Sequence, residues 1–208
     1  MKRELFVCIK YLFLLFFGSC PNLIIAQTPV IQWHQTYGGS DIDHAYHIQQ
    51  TRDSGFIAIG STHSINDEVT GNHGYSDIWV TKLNPTGALT WEKCIGSAYD
   101  DMGIWIEQTS DGGYILTGWT ASSPYSGDVT TVFGGADVWV VKLDDTGGIV
   151  WQHTYGGSQN DGGYCIQQTI DGGYIVACYT ESSDYEVTGY HGGTGSDFWI
   201  LKLMIQEV

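Results

Sequence analysis

The sequence predicts an all-β fold in which one four-stranded unit of about sixty residues occurs three times. Trp33, Trp91 and Trp151 lie 58 and 60 residues apart, which indicates an internal repeat. Glycine occurs 28 times and proline only 4 times, a balance that favours tight turns between short strands. After residue 27 no stretch has the hydrophobic period of about 3.6 residues that an amphipathic helix requires.

Residues 1–26 are predicted to be a secretory signal peptide that is not part of the fold. Two basic residues precede an apolar run over residues 5–17. This run is shorter than the ~20 residues that span a bilayer. Cleavage after Ala26 is the first reading, and lipid anchoring at Cys20, which ends a loose lipobox, is the alternative. In both cases the protein is expected to be exported, either to the extracellular space or to the cell surface.

Residues 27–208 are expected to form one repeat domain, with units at about 33–90, 91–150 and 151–208. Several markers recur in each unit at fixed offsets. An Asp-x-Trp-x-x-Lys-Leu motif starts at Asp77, Asp137 and Asp197. A turn of the Asp-Gly-Gly type follows Thr109 and Thr169. So many coincident markers exclude a chance similarity.

Each unit is expected to contain four short strands, which in the second unit fall near residues 102–109, 113–120, 137–143 and 149–155. The Asp-Gly-Gly turn joins the first two strands, because glycine tolerates the positive φ of a tight hairpin turn. The strands are apolar on both faces, unlike the alternating strands of a sheet with one face in water. Sheets that are buried on both faces and repeat at a fixed period predict stacked blades.

The run from Lys142 to Trp151, with its counterpart from Lys82 to Trp91, resembles the tryptophan-docking hairpin of quinoprotein-type β-propellers. The fuller pattern is a Trp followed by Tyr-Gly-Gly-Ser, then Asp-Gly-Gly-Tyr, then Asp-x-Trp-x-x-Lys-Leu. It is similar to the repeats of secreted β-propeller proteins common in Bacteroidetes, over about residues 30–203. The turn is one residue shorter than in quinoproteins. The resemblance implies a propeller fold and no activity.

Three units are fewer than the ~4–8 blades that close a propeller. The third unit also lacks its fourth strand, whereas a spare strand of that type is expected around residues 30–37. The prediction is therefore an open arc of three four-stranded antiparallel blades, either truncated relative to a longer protein or completed by self-association. A β-trefoil, which also has three four-stranded units, is the alternative fold.

Antiparallel strands would place the long loops 63–76, 121–136 and 181–196 on one rim, together with the segments that precede each first strand. Long loops on a rigid scaffold favour binding sites, so this rim is the predicted ligand-binding face for a protein or a carbohydrate. The candidate residues are Asp43, Asp67, His73, Tyr75, Asp101, Asp128, Asp161, Tyr190 and His191. The tyrosines Tyr125 and Tyr185 are also available there for a sugar.

Acidic oxygen ligands could hold Ca²⁺ at Asp41 and Asp43, although aspartates beside Gly and Ser more often close turns through their own backbone. No other cofactor or metal is expected. His73 and His191 occupy matching positions, with Phe133 in the middle unit, which favours a packing role. A structural role is also predicted for the repeated tryptophans Trp33, Trp79, Trp91, Trp139, Trp151 and Trp199.

A cross-strand disulfide between Cys165 and Cys178 is predicted, with two buried thiols as the alternative. If Thr169 faces Tyr174 across the turn, these cysteines are directly opposed, and opposed Cα atoms ~4.5–5.5 Å apart lie within disulfide reach. The same register would pair His47 with Gly60 in the first unit.

The functional prediction is a non-catalytic binding or scaffold module, and not an enzyme. The net charge of −15 works against binding nucleic acid, which needs basic residues at the phosphates. No Gly-x-Ser-x-Gly nucleophile motif occurs, and Arg52 is the sole arginine after residue 26. The alternative is a fragment of a larger propeller enzyme of the glycosidase or quinoprotein kind.

Overall fold

The computed structural model describes residues 28–121 and 123–205, so the predicted signal peptide and Cys20 lie outside the described residues. All regular structure in the described part is β-strand, which confirms the all-β prediction. None of the described segments forms an apolar helix of bilayer-spanning length.

The strands form three antiparallel sheets, and each sheet consists of strands that are consecutive in the chain. Sheet 1 contains β1 (Asp43–Gln50), β2 (Phe56–Thr62), β3 (Asp77–Leu83) and β4 (Leu89–Ile95). Sheet 2 contains β5 (Asp101–Gln108), β6 (Tyr114–Thr120), β7 (Asp137–Leu143) and β8 (Ile149–Tyr155). Sheet 3 contains β9 (Asp161–Gln168), β10 (Tyr174–Thr180) and β11 (Asp197–Leu203). The strands of the second unit begin and end within one residue of their predicted positions.

The sheets lie against one another through apolar cores, which explains why their strands do not alternate. The core between sheets 1 and 2 joins Ile57, Ile78 and Val80 to Leu116 and Trp139. A second core lies between sheets 2 and 3, where Ile115, Val138 and Val140 meet Ile166 and Val176. Strand β7 is buried at every position because both of its faces are covered.

The repeated tryptophans that follow each unit's turn pack on the second strand of the following sheet. The ring of Trp91, in β4, lies 5.9 Å from that of Tyr114, in β6. The ring of Trp151 lies 5.8 Å from that of Tyr174 in the same way. Trp91 and Trp151 therefore pack between consecutive sheets.

The predicted Cys165–Cys178 disulfide is wrong, because the register of the hairpin differs from the assumed one. The turn closes between Thr169 and Gly173, whose backbone bond is 2.9 Å, so Tyr174 faces Gln168. A β-bulge then shifts the pairing again, and Cys165 faces Ala177 while Cys178 faces Gly163. Neighbouring residues of a strand point to opposite faces, so the two thiols cannot meet, and both are free.

The same shift occurs in the other two first hairpins. His47 faces Ile59 and not Gly60, with a bulge between Ala45 and His47. In sheet 2 the bulge lies between Gly103 and Trp105. The bulge is therefore a repeated feature of the first strand of each unit. The turn glycines Gly112 and Gly172 have the positive φ expected of them, 93° and 83°.

Candidate functional site

The long loops and the segments before each first strand meet at one end of the sheets, because β2, β4, β6, β8 and β10 all end there. This end is called the long-loop face below and comprises residues 38–43, 63–76, 96–101, 123–136, 156–161 and 181–196. It holds every candidate binding residue named from the sequence.

The aspartates that begin the first strand of each sheet hold their own loops together. Each carboxylate accepts a hydrogen bond from the amide four residues earlier: Asp43 from Gly39 at 2.8 Å, Asp101 from Ser97 at 2.6 Å and Asp161 from Gly157 at 2.8 Å. A serine hydroxyl adds a second bond to each of the three carboxylates. These three candidate residues are therefore turn-closing groups, as aspartates beside glycine and serine commonly are.

A second set of aspartates, at the start of each third strand, fixes the ends of the long loops. Asp77 and Asp137 accept the backbone amides of His73 and Phe133 at 3.0 and 2.8 Å. Asp197 accepts the amide of His191 at 2.7 Å. Because the three bonds are equivalent, this second set positions the loops in all three units.

Burial raises the proton affinity of Asp77, Asp101 and Asp137 at the sheet junctions. The Oδ1 atoms of Asp77, Asp101, Asp137 and Asp161 are buried without a hydrogen-bond partner among the described residues. Burial raises the pKa of Asp101 to about 6 and that of Asp137 to about 6. Asp101 and Asp137 therefore titrate closer to neutral pH than solvated carboxyls, because a buried charge loses its hydration.

His73 lies between carboxylates of two consecutive long loops. Its Nδ1 is 2.7 Å from Oδ2 of Asp77, and its Nε2 is 4.0 Å from Oδ2 of Asp128. Asp128 also accepts the amide of Gly96 at 3.2 Å. Protonated His73 would place a positive charge between two acids, so this histidine connects the loop of sheet 1 to that of sheet 2.

The equivalent positions in the other two units differ in what covers them. Phe133 packs against Tyr185 of the next loop, with ring centroids 5.6 Å apart. His191 lies 2.9 Å from Asp197, but its side chain is 87% exposed. His73, Phe133 and His191 are therefore not brought together, and each belongs to its own loop.

Exposed tyrosines project from the long-loop face. Tyr75, Tyr125 and Tyr185 are 71%, 85% and 68% exposed. Tyr125 and Tyr185 have positive φ values of 62° and 51°, at loop positions where the first unit has Asp67, with φ 57°. A left-handed backbone costs a residue with a side chain roughly 1–2 kcal/mol. The loops thus hold two bulky aromatic rings in water at a conformational cost.

Tyr190 differs from these tyrosines, because its hydroxyl donates a hydrogen bond of 2.6 Å to the carbonyl of Gly195. It therefore serves its own loop. The favoured aromatic candidates are Tyr75, Tyr125 and Tyr185.

The geometry of Asp41 and Asp43 does not resemble a calcium site. The Oδ1 of Asp43 accepts the hydroxyl of Thr62, and its Oδ2 accepts hydrogen bonds as well. The Oδ1 of Asp41 accepts the amide of Ile42 at 2.8 Å. In residues 28–121 and 123–205 no three His, Cys, Asp or Glu side chains are grouped closely enough to hold a metal ion.

Three lysine–aspartate pairs at the opposite end of the sheets, where the tight turns lie, were not predicted from the sequence. The pairs Lys82–Asp53, Lys142–Asp111 and Lys202–Asp171 have N–O distances of 2.8, 2.9 and 2.8 Å. The hydrogen bond from Lys82 lowers the pKa of Asp53. The recurrence of both residues in every unit was the signal that could have identified the pairs.

Neither a protein-family model nor a curated protein matches the sequence. The function of the chain therefore has to be inferred from its own geometry.

Proposed function

We propose that the chain is an exported, non-catalytic module whose three sheets are blades of a β-propeller arc, and that it binds a protein partner through its long-loop face. The tyrosines Tyr125 and Tyr185 carry this proposal. Tyrosine offers a large, rigid contact area at low entropic cost, and it is enriched at protein interfaces for that reason.

The backbone at these tyrosines supports the proposal. Strained positions persist where the surrounding structure holds them, and they cluster at functional sites. Both rings are exposed and occupy the same place in their loops. Tyr185 contacts Phe133, yet both rings keep most of their surface in water above a left-handed backbone.

The arrangement of the strands supports the propeller. Each sheet consists of consecutive strands, and the sheets stack face to face through the two cores described above. A trefoil would instead pair strands of different units into one barrel. The inner strands β1, β5 and β9 come first in each unit, as they do in propeller blades.

The contacts of the acids and histidines favour binding over catalysis. The candidate aspartates accept hydrogen bonds from their own loops, and His73 lies between two carboxylates. A general base needs a lone pair within reach of a substrate proton. Both ring nitrogens of His73 face a carboxylate instead, Nδ1 that of Asp77 and Nε2 that of Asp128.

A binding comparison tests the proposal. The purified protein is applied to arrays of bacterial surface proteins and of glycans, together with a double variant, Tyr125→Ala with Tyr185→Ala. Val150→Ala is the control, since it removes an exposed apolar side chain from the outermost strand of sheet 2. We expect protein ligands whose binding falls at least tenfold in the double variant only. Binding to glycans alone, or equal binding by all three proteins, would contradict the proposal.

A further inference from the structure

Sheet 3 exposes positions that are fully buried in sheets 1 and 2. Three apolar sets show this: Ile57, Ile115 and Ile175; Ile78, Val138 and Phe198; Val80, Val140 and Ile200. The third members are 38%, 82% and 46% exposed, whereas the first two members of every set are 0% exposed. The following sheet covers these positions in sheets 1 and 2. The face formed by Ile175, Phe198 and Ile200 is called the tail face.

Sheet 1 has an exposed apolar position on the face that points away from sheet 2. Ile48 is 56% exposed, whereas its counterparts Ile106 and Ile166 are 0% exposed against the preceding sheet. Ile48 lines an apolar groove together with Ala58, Trp79 and Leu83. The counterparts of these groove residues in sheets 2 and 3 pack against the sheet before them. This groove is called the head face.

A segment that matches a fourth strand already lies on sheet 1. The ring of Trp33 lies 5.7 Å from that of Phe56, as Trp91 lies against Tyr114. The hydroxyl of Tyr37 donates to the carbonyl of Gly87. Residues 33–37 are not in a sheet, while β11 has no strand beyond it among the described residues. The head thus carries a segment that matches a fourth strand, and sheet 3 has no fourth strand in the part of the chain that the structure describes.

The sizes of the side chains at the two ends are matched. At the first junction Gly103 faces Ile59, whose Cδ1 would lie 2.5 Å from a Cβ on that glycine. At the second junction Gly163 faces the Oγ1 of Thr117 at 2.2 Å from such a Cβ. At the head, the position of Gly103 and Gly163 is taken by Ala45, which has a Cβ. At the tail, the position of Ile59 and Thr117 is taken by Ala177, which has the smallest side chain of the three. The larger head residue thus stands opposite the smaller tail residue.

The polar groups that connect the sheets also have counterparts at the two ends. The amides of Asp101 and Asp161 donate to the carbonyls of Ser76 and Ala136 at 2.7 and 2.6 Å. The equivalent pair is the Asp43 amide at the head and the Ser196 carbonyl at the tail. The side chain of Gln49 accepts a hydrogen bond of 2.7 Å from the backbone amide of Gln108. The equivalent pair is the side chain of Gln167 at the tail and the amide of Gln50 at the head.

We propose that two copies of the chain associate head to tail, the tail face of each covering the head face of the other, and close a ring of six sheets. Residues 33–37 of one copy would extend β11 of the other, in the register that pairs β3 with β4. That register places Gln35 opposite Ile200, as Lys93 lies opposite Val80. Six sheets fall within the ~4–8 blades of closed propellers, and a head-to-tail contact forms a ring when its rotation closes. This inference depends on the stacked arrangement of the sheets and not on the binding function proposed above.

Mass measurement by light scattering tests the assembly. The purified protein is expected to have twice the mass of one chain. Ile48→Glu at the head and Phe198→Glu at the tail should each give a single chain, because each places an acid in both contacts of the ring. Both residues are exposed within one chain, so neither change disturbs its core. Val150→Glu, on the exposed outer strand, and Tyr125→Ala, at the long-loop face, should leave the doubled mass unchanged.

A mixture of the two end variants distinguishes head-to-tail from symmetric contacts. A mixture of Ile48→Glu and Phe198→Glu retains one intact head-to-tail contact and should recover part of the doubled mass. A single chain for the unchanged protein, a longer open series, or loss of mass from one end variant only would each overturn the proposal.

A disulfide cross-link tests the register. Chains with Gln35→Cys and Ile200→Cys should form an interchain disulfide on mild oxidation, because opposed Cα atoms in an antiparallel pair are ~4.5–5.5 Å apart. The unchanged protein, whose cysteines are Cys94, Cys165 and Cys178 in the described part, is the control. A doubled mass without cross-linking would contradict the pairing of residues 33–37 with β11.

Discussion

Strands β7 and β11 have nearly the same sequence pattern and very different surroundings. Both follow Asp-x-Trp-x-x-Lys-Leu, from Asp137 and from Asp197. β7 is buried at all seven positions, whereas none of the seven positions of β11 is buried. Sheet 3 packs over β7. No sheet in the described part of the chain packs over β11 in the same way. In a stacked repeat the burial of a residue therefore depends on its neighbour sheet as much as on its own strand.

The largest expected difference in unfolding free energy between a covered and an open position is at Ile106 and its head-face equivalent, Ile48. Ile106→Ala removes a side chain that is 0% exposed in the first core, and we expect a loss of ~2–5 kcal/mol in the free energy of unfolding. Ile48→Ala makes the same change at the open equivalent, where the loss should stay below ~1 kcal/mol, since little apolar surface leaves contact. Urea unfolding, at a concentration where light scattering shows a single chain, measures both. Equal losses would mean that the head face is already covered within one chain.

The aspartates at the start of β7 and β11 should respond to pH with opposite signs. Burial raises the pKa of Asp137 to about 6, so the folded state holds its proton more tightly than the unfolded state. Its contribution to stability is complete at about pH 4 and is lost as the pH rises towards 6. Asp137→Asn mimics the protonated form and should raise the free energy of unfolding at pH 7 by up to ~3 kcal/mol, with little effect at pH 4.

Asp197 is the matched control for this pH effect. The hydrogen bonds from the amide and ring of His191 lower the pKa of Asp197, so its contribution is present above pH 4 and is lost as the pH falls below that value. Asp197→Asn should therefore destabilise slightly at pH 7 and have no effect at pH 2. Unfolding midpoints measured from pH 2 to pH 7 give both profiles, and parallel profiles for the two variants would refute the assignment.

His73 and His191 offer a smaller version of the same comparison. His73→Phe removes the ring donor 2.7 Å from Asp77, which is fully buried, and should cost ~1–3 kcal/mol. His191→Phe removes the equivalent contact at the open end, where water can replace it, and should cost less than ~0.5 kcal/mol. Thermal unfolding at pH 6 and pH 8 measures the losses. An equal loss of stability in both variants would show that the nearby Asp128 loop does not strengthen the contact between His73 and Asp77.

The positions of the strands could be predicted from the sequence, whereas the register of the first hairpins could not. The Asp-x-Trp-x-x-Lys-Leu motif and the turn glycines place β7 within its observed bounds. The bulges lie at Tyr46, Ile104 and Tyr164. Glycine precedes two of them, at Gly103 and Gly163, but Ala45 precedes the third, so no residue marks the bulge in every unit. The Cys165–Cys178 pairing was wrong because the turn closes between Thr169 and Gly173, which places Cys165 opposite Ala177, and the bulge beyond it moves Cys178 to Gly163.

The site could be predicted in location but not in detail. Antiparallel strands fix which loops gather at one end, so the long-loop face follows from the repeat. Whether Asp101 binds a ligand or its own loop depends on the amide of Ser97 turning back towards it, a local detail that composition does not reveal. The exposure of His191 and the burial of Asp77 likewise depend on which sheet follows, and a repeated motif has the same letters in both settings.

The lysine–aspartate pairs give the smallest expected difference, because the aspartates are exposed at both positions. The side chain of Lys142 is 6% exposed and that of Lys202 is 41% exposed, while their partners are 61% and 58% exposed. Lys142→Met keeps the packed aliphatic part and leaves Asp111 in water, so the loss should stay below ~1 kcal/mol. Lys202→Met should produce no measurable change in urea unfolding at 0.15 M salt. A loss of several kcal/mol at Lys142 would instead mean that Asp111 depends on this lysine for its solvation, and that the tight-turn end is as closely covered as the sheet junctions.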